Sequence, residues 1–258
     1  MRECESLEVA DVSSVSGLRL IHNQISHAGH QFEPRGERAL YELASPAALS
    51  LPGANKGVVL ISEMPGPFGQ PDFVALVGGG RWLERRIAAG IPPRLSEAEC
   101  IVLSALYVER PLSQASLSRR VGWSADVLMP ILKKLVSVGA LKVTPAGSFL
   151  RVRDLEPSGI LYALEAKLKS WQRAVLQGRA YRSWADNYVV LLGGVGAVAR
   201  QRAAETIALD RAGLFVDFEW IVKPKVRKAH PAKRLWGFEH MYAAVVASDP
   251  SFRIYENI

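Results

Sequence analysis

Cysteine is scarce: the 258 residues include two, Cys4 and Cys100, far apart and with no CxxC or histidine spacing around either. That argues against a disulfide framework or a structural zinc site and fits a reducing compartment. The five histidines form no HxH or HExxH pattern, which disfavours a histidine-rich metal centre. No apolar run approaches the length of a bilayer span. The first ten residues carry Glu3, Glu5 and Glu8 and lack the apolar stretch of a secretory signal. There is no internal repeat and no low-complexity tract. These absences lead us to expect a soluble, cytoplasmic protein that does not associate with membranes.

What is present is an ordinary globular balance, 49% hydrophobic and 22% charged, with a net charge of +7. Surplus Lys and Arg favour polyanionic partners, nucleic acid first, because counterion release rewards clustered positive charge.

The hydrophobic pattern divides the chain into four parts. Residues 1–33 are polar, lack strong periodicity and read as an arm. Residues 34–80 hold a short amphipathic helix over Arg35 to Ala44, stopped by Pro46, and two strands, Gly57 to Glu63 and Pro71 to Val77, joined as a hairpin. Gly78-Gly79-Gly80 reads as a hinge and Pro92-Pro93 as a further boundary. Residues 81–156 then follow the order helix, helix, helix, hairpin. Ser96 and Ser113 are candidate caps of the first two helices, and the third spans Ser124 to Val138 with Pro130 inside it. That order is the order of a winged helix-turn-helix. Residues 157–258 return to α/β texture: strands at 159–167, 187–192 and 213–218, helices at 170–183 and 196–209, a basic loop from Lys223 to Arg234 and a last helix from about Leu235.

Two strand segments carry the chemistry. Asp72 follows Pro71 where a strand runs into apolar residues. Glu165 and Lys167 stand two apart in LYALEAKLK, so they share a strand face, with Ala163 and Leu161 behind them. Charges at the end of an apolar central strand are costly to bury without partners, and a divalent cation is a natural one. Asp72, Glu165 and the carbonyl of Ala166 would supply oxygen ligands to Mg²⁺ or Mn²⁺, and Lys167 would steady a deprotonated water for attack on a phosphodiester. Glu63 is a nearby carboxylate that reads as a strand-end residue.

Together, Pro71-Asp72 and Glu165-Ala166-Lys167 resemble the PD-(D/E)xK nuclease superfamily. Gln177 and Tyr181 reproduce the QxxxY pattern that exonuclease-like members carry on the next helix. The resemblance spans roughly residues 34–77 and 157–220, and the inserted 81–156 segment accounts for the long separation of the two motifs. It implies an α/β, restriction-endonuclease-like mixed-sheet core with an inserted winged-helix domain, and a Mg²⁺-dependent DNA nuclease. Asp72 and Glu165 would be metal ligands, Lys167 the catalytic lysine, and Gln177 with Tyr181 active-site or DNA contacts. Glu37, on the helix before the first strand, would join the metal site.

Basic residues suggest how DNA would be held. The winged-helix segment offers Arg119 and Arg120 on its second helix, Ser124, Lys133 and Lys134 on its third, and Lys142, Arg151 and Arg153 about the wing, all suited to phosphate contact. Few of them read bases, and the pattern leaves open whether the module selects DNA sites or forms a dimer. Lys225, Arg227 and Lys228 lie in KPKVRKAHPAKR between Trp220 and Trp236, a composition that suits a nucleic-acid groove. Two rivals stand beside the nuclease. One is a non-catalytic DNA-binding regulator on a nuclease-like scaffold. The other is nucleotide binding through the GxGxxA of Gly194 to Ala199, with Asp217 on the next strand as the ribose ligand.

Overall fold

In the computed structural model the described residues are 17–21, 39–249 and 251–252. Seven strands form one mixed sheet in the order β1-β2-β3-β6-β7-β8-β9. They are β1 (Leu18–Ile21), β2 (Val58–Ser62), β3 (Phe73–Val77), β6 (Ile160–Lys167), β7 (Asn187–Leu192), β8 (Gly213–Val216) and β9 (Glu219–Val222). Strands β4 (Leu141–Val143) and β5 (Phe149–Arg151) make a separate hairpin. β2 and β3 are antiparallel, and so are β3 and β6, even though the 81–156 segment lies between those two in sequence. β7 and β8 then join in parallel, each after a crossover helix, α6 (Trp171–Tyr181) and α7 (Ala197–Leu209). Every residue of β7 is buried, in keeping with its continuous apolar run at the centre of the sheet.

Each face has its own cover. Leu60, Ala75, Tyr162, Leu164 and Leu191 pack on one side against the turn at Ala39–Leu43 and α1 (Ala44–Leu49). On the other side Ile61, Val74, Leu161 and Ala163 meet α2 (Gly80–Ala88) and α8 (Pro231–Ser248). Val190, Leu192 and Leu214 on that same side meet α6 and α7. The inserted segment, α3 (Glu97–Ala105), α4 (Gln114–Val121), α5 (Ala125–Ser137) and the β4–β5 hairpin, has a separate core around Leu103, Leu117, Leu132 and Leu135. Leu235 of α8 reaches into that core, and Trp236 donates its indole N–H to the Leu95 carbonyl at 2.6 Å.

Five expectations are corrected. The 1–33 arm contributes an edge strand, because β1 pairs in parallel with β2 and buries Leu18 and Ile21. Pro46 does not stop a helix; it lies in the first turn of α1, where the missing N–H has no acceptor to lose. The glycine hinge opens α2, whose Trp82 and Leu83 are fully buried against the main sheet, so the separate module begins nearer Ile91 than residue 81. The strand at 213–218 ends at Val216, and Asp217 and Phe218, both at positive φ, turn the chain into β9. The last helix starts at Pro231 and takes Lys233 and Arg234 out of the basic loop. Of the two candidate caps, Ser113 accepts the Ser116 N–H at 3.3 Å, whereas the Ser96 side chain caps nothing. Pro130 sits inside α5 without ending it.

Candidate active site

The β3–β6 ladder ends at Phe73↔Leu164, and β6 runs on through Glu165, Ala166 and Lys167 paired only with β7. In a strand the N–H and C=O of one residue point to the same neighbour. The Ala166 peptide groups therefore face the gap that β3 leaves, and Asp72 fills it. Its Oδ2 accepts the Ala166 N–H at 2.7 Å.

The Lys167 ammonium closes the arrangement. Nζ lies 3.0 Å from Glu165 Oε1, 3.0 Å from the Ala166 carbonyl oxygen and 3.8 Å from Asp72 Oδ2. Asp72, Glu165 and Lys167 are 6%, 2% and 8% exposed. Two acids remote in sequence thus meet on one sheet face beside the lysine, and three hard oxygen atoms converge on a single positive charge. That donor set suits a small divalent cation, which commonly takes one or two carboxylates and leaves its remaining positions to water and phosphate. Among the described residues there is no group of three or more His, Cys, Asp or Glu side chains placed to hold a metal, so Asp72 and Glu165 would do so as a pair with a main-chain oxygen. Glu37 lies outside the described residues.

α6 supplies the next contacts. Tyr181 donates its phenol to Glu165 Oε2 at 3.0 Å, and its hydroxyl is 3.3 Å from the Gln70 carbonyl. Burial, and then the neighbouring Glu165 charge, push the Tyr181 phenol far above its usual range, so it remains a donor. Gln177 lies one turn earlier on the same helix. Its Oε1 is buried and makes no hydrogen bond. Glu63 takes a positive φ of 50° just after β2, and its N–H binds the Asp72 carbonyl at 2.8 Å, holding the backbone at Asp72. The 64–70 loop that leads to Asp72 is tied down by His240, whose Nδ1 sits 2.8 Å from the Pro65 carbonyl, and by Trp184, which donates to the Phe68 carbonyl at 3.1 Å.

The basic residues sort into free and committed groups. Arg119, Arg120, Ser124, Lys133 and Lys142 are exposed on the inserted module. Arg120 stacks over Tyr107 at 4.5 Å and donates to its hydroxyl. Lys134 pairs with Glu99 at 2.6 Å, Arg151 turns inward to the Leu103 carbonyl and Glu156, and Arg153 pairs with Glu109. Arg151 is an internal tie, whereas Lys134 and Arg153 keep most of their surface exposed beside their acidic partners. In the second tract Lys225, Arg227 and Lys228 are exposed, but Arg234 is buried and bonded to Asp186 Oδ1 at 2.7 Å. Trp220 and Trp236 do not flank one groove. Trp220 donates to Ser50 beside α1, while Trp236 stacks edge-on with Phe68. The structure also brings Arg179 and Arg182 of the α6 C-terminal end beside Arg227 and Lys228 around one cavity, a grouping that no spacing in the sequence announces.

The glycine-rich loop before α7 does lie between a strand and a helix. Asp217, however, occupies the β8–β9 turn, and the chain there reverses into an antiparallel edge strand instead of another strand-helix unit. No helix among the described residues is long and apolar enough to cross a membrane. No protein-family model matches the chain, and no curated protein or solved structure is significantly similar to it.

Proposed function

We propose that the chain is a metal-dependent deoxyribonuclease of the PD-(D/E)xK type, with the inserted three-helix and hairpin module positioning the duplex. The observation that carries this reading is the convergence of Asp72, Glu165 and the Ala166 carbonyl on the Lys167 ammonium at the open end of β6. The strand succession supports it: an antiparallel β2-β3-β6 meander, a crossover helix bearing Gln177 and Tyr181, and a parallel β7.

Asp72 and Glu165 would hold Mg²⁺ or Mn²⁺ with the Ala166 carbonyl. A divalent ion there supplies Lewis acidity, lowering the pKa of water and screening the scissile phosphate. The protein's own part is to aim and to stabilise charge. Tyr181 orients the Glu165 carboxylate, the Ala166 N–H fixes the Asp72 rotamer, and the Lys167 ammonium offers positive charge to the developing hydroxide and phosphorane oxygens. Exposed Arg119, Arg120, Lys133 and Lys142 would contact backbone phosphates and contribute affinity without sequence choice.

Incubation with plasmid and linear DNA, with Mg²⁺ or Mn²⁺ and with chelator, tests this directly. Cutting is expected only with metal, and Lys167→Ala is expected to abolish it while DNA affinity persists. A second reading is a non-catalytic DNA-binding regulator on the same scaffold. It draws on the 3.0 Å ion pair of Lys167 with Glu165, which neutralises that acid without a metal. Wild-type protein that binds DNA yet never cuts it with either ion would select the regulator.

A further inference from the structure

The C-terminal end of α6 and the 223–230 segment line an open cleft of about 350 Å³, at the small end of the range for ligand cavities, about 300–1,000 Å³. Its walls carry Arg179, Arg182, Ser183, Arg227, Lys228 and His230. One carboxylate opposes them: Asp210 binds Arg179 at 2.7 Å and lies 3.8 Å from Arg182. Burial works to raise the Asp210 pKa, but hydrogen bonds from Arg179 and Tyr188 hold it below the usual carboxylate range, so it stays ionised. Four permanent cations therefore face a single anion. Among the described residues the side chains of Arg227 and Lys228 make no hydrogen bond or ion pair, and like charges gathered without partners repel.

The segment that presents them is pinned. The Lys225 N–H binds the Arg211 carbonyl at 2.9 Å and the Arg227 N–H binds the Asp186 carbonyl at 3.3 Å. A fixed backbone that presents exposed guanidinium and ammonium donors without a protein partner among the described residues suits a tetrahedral oxyanion. We propose that this cavity is an anion site that takes a phosphate group of nucleic acid, separate from the carboxylate centre.

Its placement links it to that centre. Tyr181, between Arg179 and Arg182 in sequence, turns inward to Glu165, while the two arginines turn to the cavity. The Asp186 that anchors Arg227 also accepts the Leu161 N–H, four strand residues before Glu165. At about 3.3 Å per residue the cavity stands on the order of 13 Å along β6 from the carboxylates. A phosphate held there would belong to the same nucleic acid that meets the carboxylates. That position rests on the nuclease reading; the anion site does not.

The test reads affinity of the full chain for a short labelled duplex in chelator, across a salt series, with and without a 5′-phosphate. Arg227→Ala/Lys228→Ala is expected to weaken binding about tenfold and to make the salt slope shallower by about one, the share of a single neutralised phosphate. Lys56→Ala/Arg85→Ala, an equal charge change at exposed residues outside the cavity, is expected to preserve both. A loss confined to the 5′-phosphorylated duplex assigns the site to a terminal phosphate, and a loss on both assigns it to the backbone; either supports it. Wild-type affinity in the cavity variant, or an equal loss in the control variant, overturns it. So does loss of binding to phosphatidylserine vesicles with DNA affinity intact. Because cleavage plays no part in the readout, a wild type that binds through the cavity and never cuts would remove the nuclease reading alone. Metal-dependent cutting beside an inert cavity variant would remove the anion site alone.

Discussion

Tyr181 shows how one side chain can govern a site it does not join. Its phenol is buried, stays protonated and gives its hydrogen to Glu165 Oε2, leaving Oε1 towards Lys167. Partners of this kind orient metal-binding carboxylates, and their loss commonly costs 10- to 100-fold in metal affinity or activity. On the nuclease reading, Tyr181→Phe is expected to lower cleavage about 10- to 100-fold and to move the Mg²⁺ titration midpoint upward, while stability falls by about 1.5–3 kcal/mol, the worth of a hydrogen bond to a charged group. Cleavage titrated against Mg²⁺, beside a denaturant melt, separates the two effects. An unchanged midpoint with unchanged rate would leave the phenol a packing group. The sequence pointed to Tyr181 through its QxxxY spacing. It could not give the inward turn, which depends on how α6 lies over β6.

At the scale of elements, α6 decides the geometry because it is clamped between the sheet and the basic segment. Gly178, one turn from Tyr181, lies against the Tyr188 ring so closely that a Cβ would overlap it. Gly178→Ala must push the helix away from β7, an overpacking cost of about 1–3 kcal/mol. A thermal melt should show that loss. On the nuclease reading, cleavage should fall further than stability explains, because Tyr181 and Gln177 would move with the helix. Local signals found most such elements: β7 is a bare apolar run and α4 begins at a serine that caps it. They failed at the edges. β1 is four residues long within polar surroundings, and β9 follows an Asp-Phe turn that lacks the usual glycine or asparagine. An edge strand needs only one neighbour, so its pattern is weak until the sheet is assembled.

Across the whole molecule, a buried ion pair joins the sheet layer to the inserted module. Arg86 of α2 grips Glu239 of α8 through Nε and Nη2 at 3.0 and 2.8 Å, and both side chains are fully buried. Glu239 also accepts the Arg94 N–H at 2.7 Å, and Arg86 donates to the Ile91 and Pro92 carbonyls at the root of the module. Arg86→Met would strand Glu239 in the interior and is expected to cost about 3–5 kcal/mol. Arg86→Met/Glu239→Leu should recover part of that loss in a denaturant melt, because no buried charge is then left unpaired. Additive losses would show that the pair is not coupled. Neither residue carried a signal in sequence, where Arg86 stood at the start of the expected 81–156 insertion and Glu239 on an unremarkable helix.

Periodicity, glycine and proline placement, and the two short acidic motifs were enough to lay out most of the helices, though not α1 or α2, and the central strands, and to single out Asp72, Glu165 and Lys167, because those depend on neighbours within a few residues. Whether the two acids would meet depended on β3 and β6 pairing across the inserted segment, and on β3 stopping where β6 continues. The gathering of four cations at one cavity likewise required α6 and the 223–230 segment to fold together. Contacts between distant segments are chosen by burial and by the alignment of whole strands, and neither is written in any local stretch of chain.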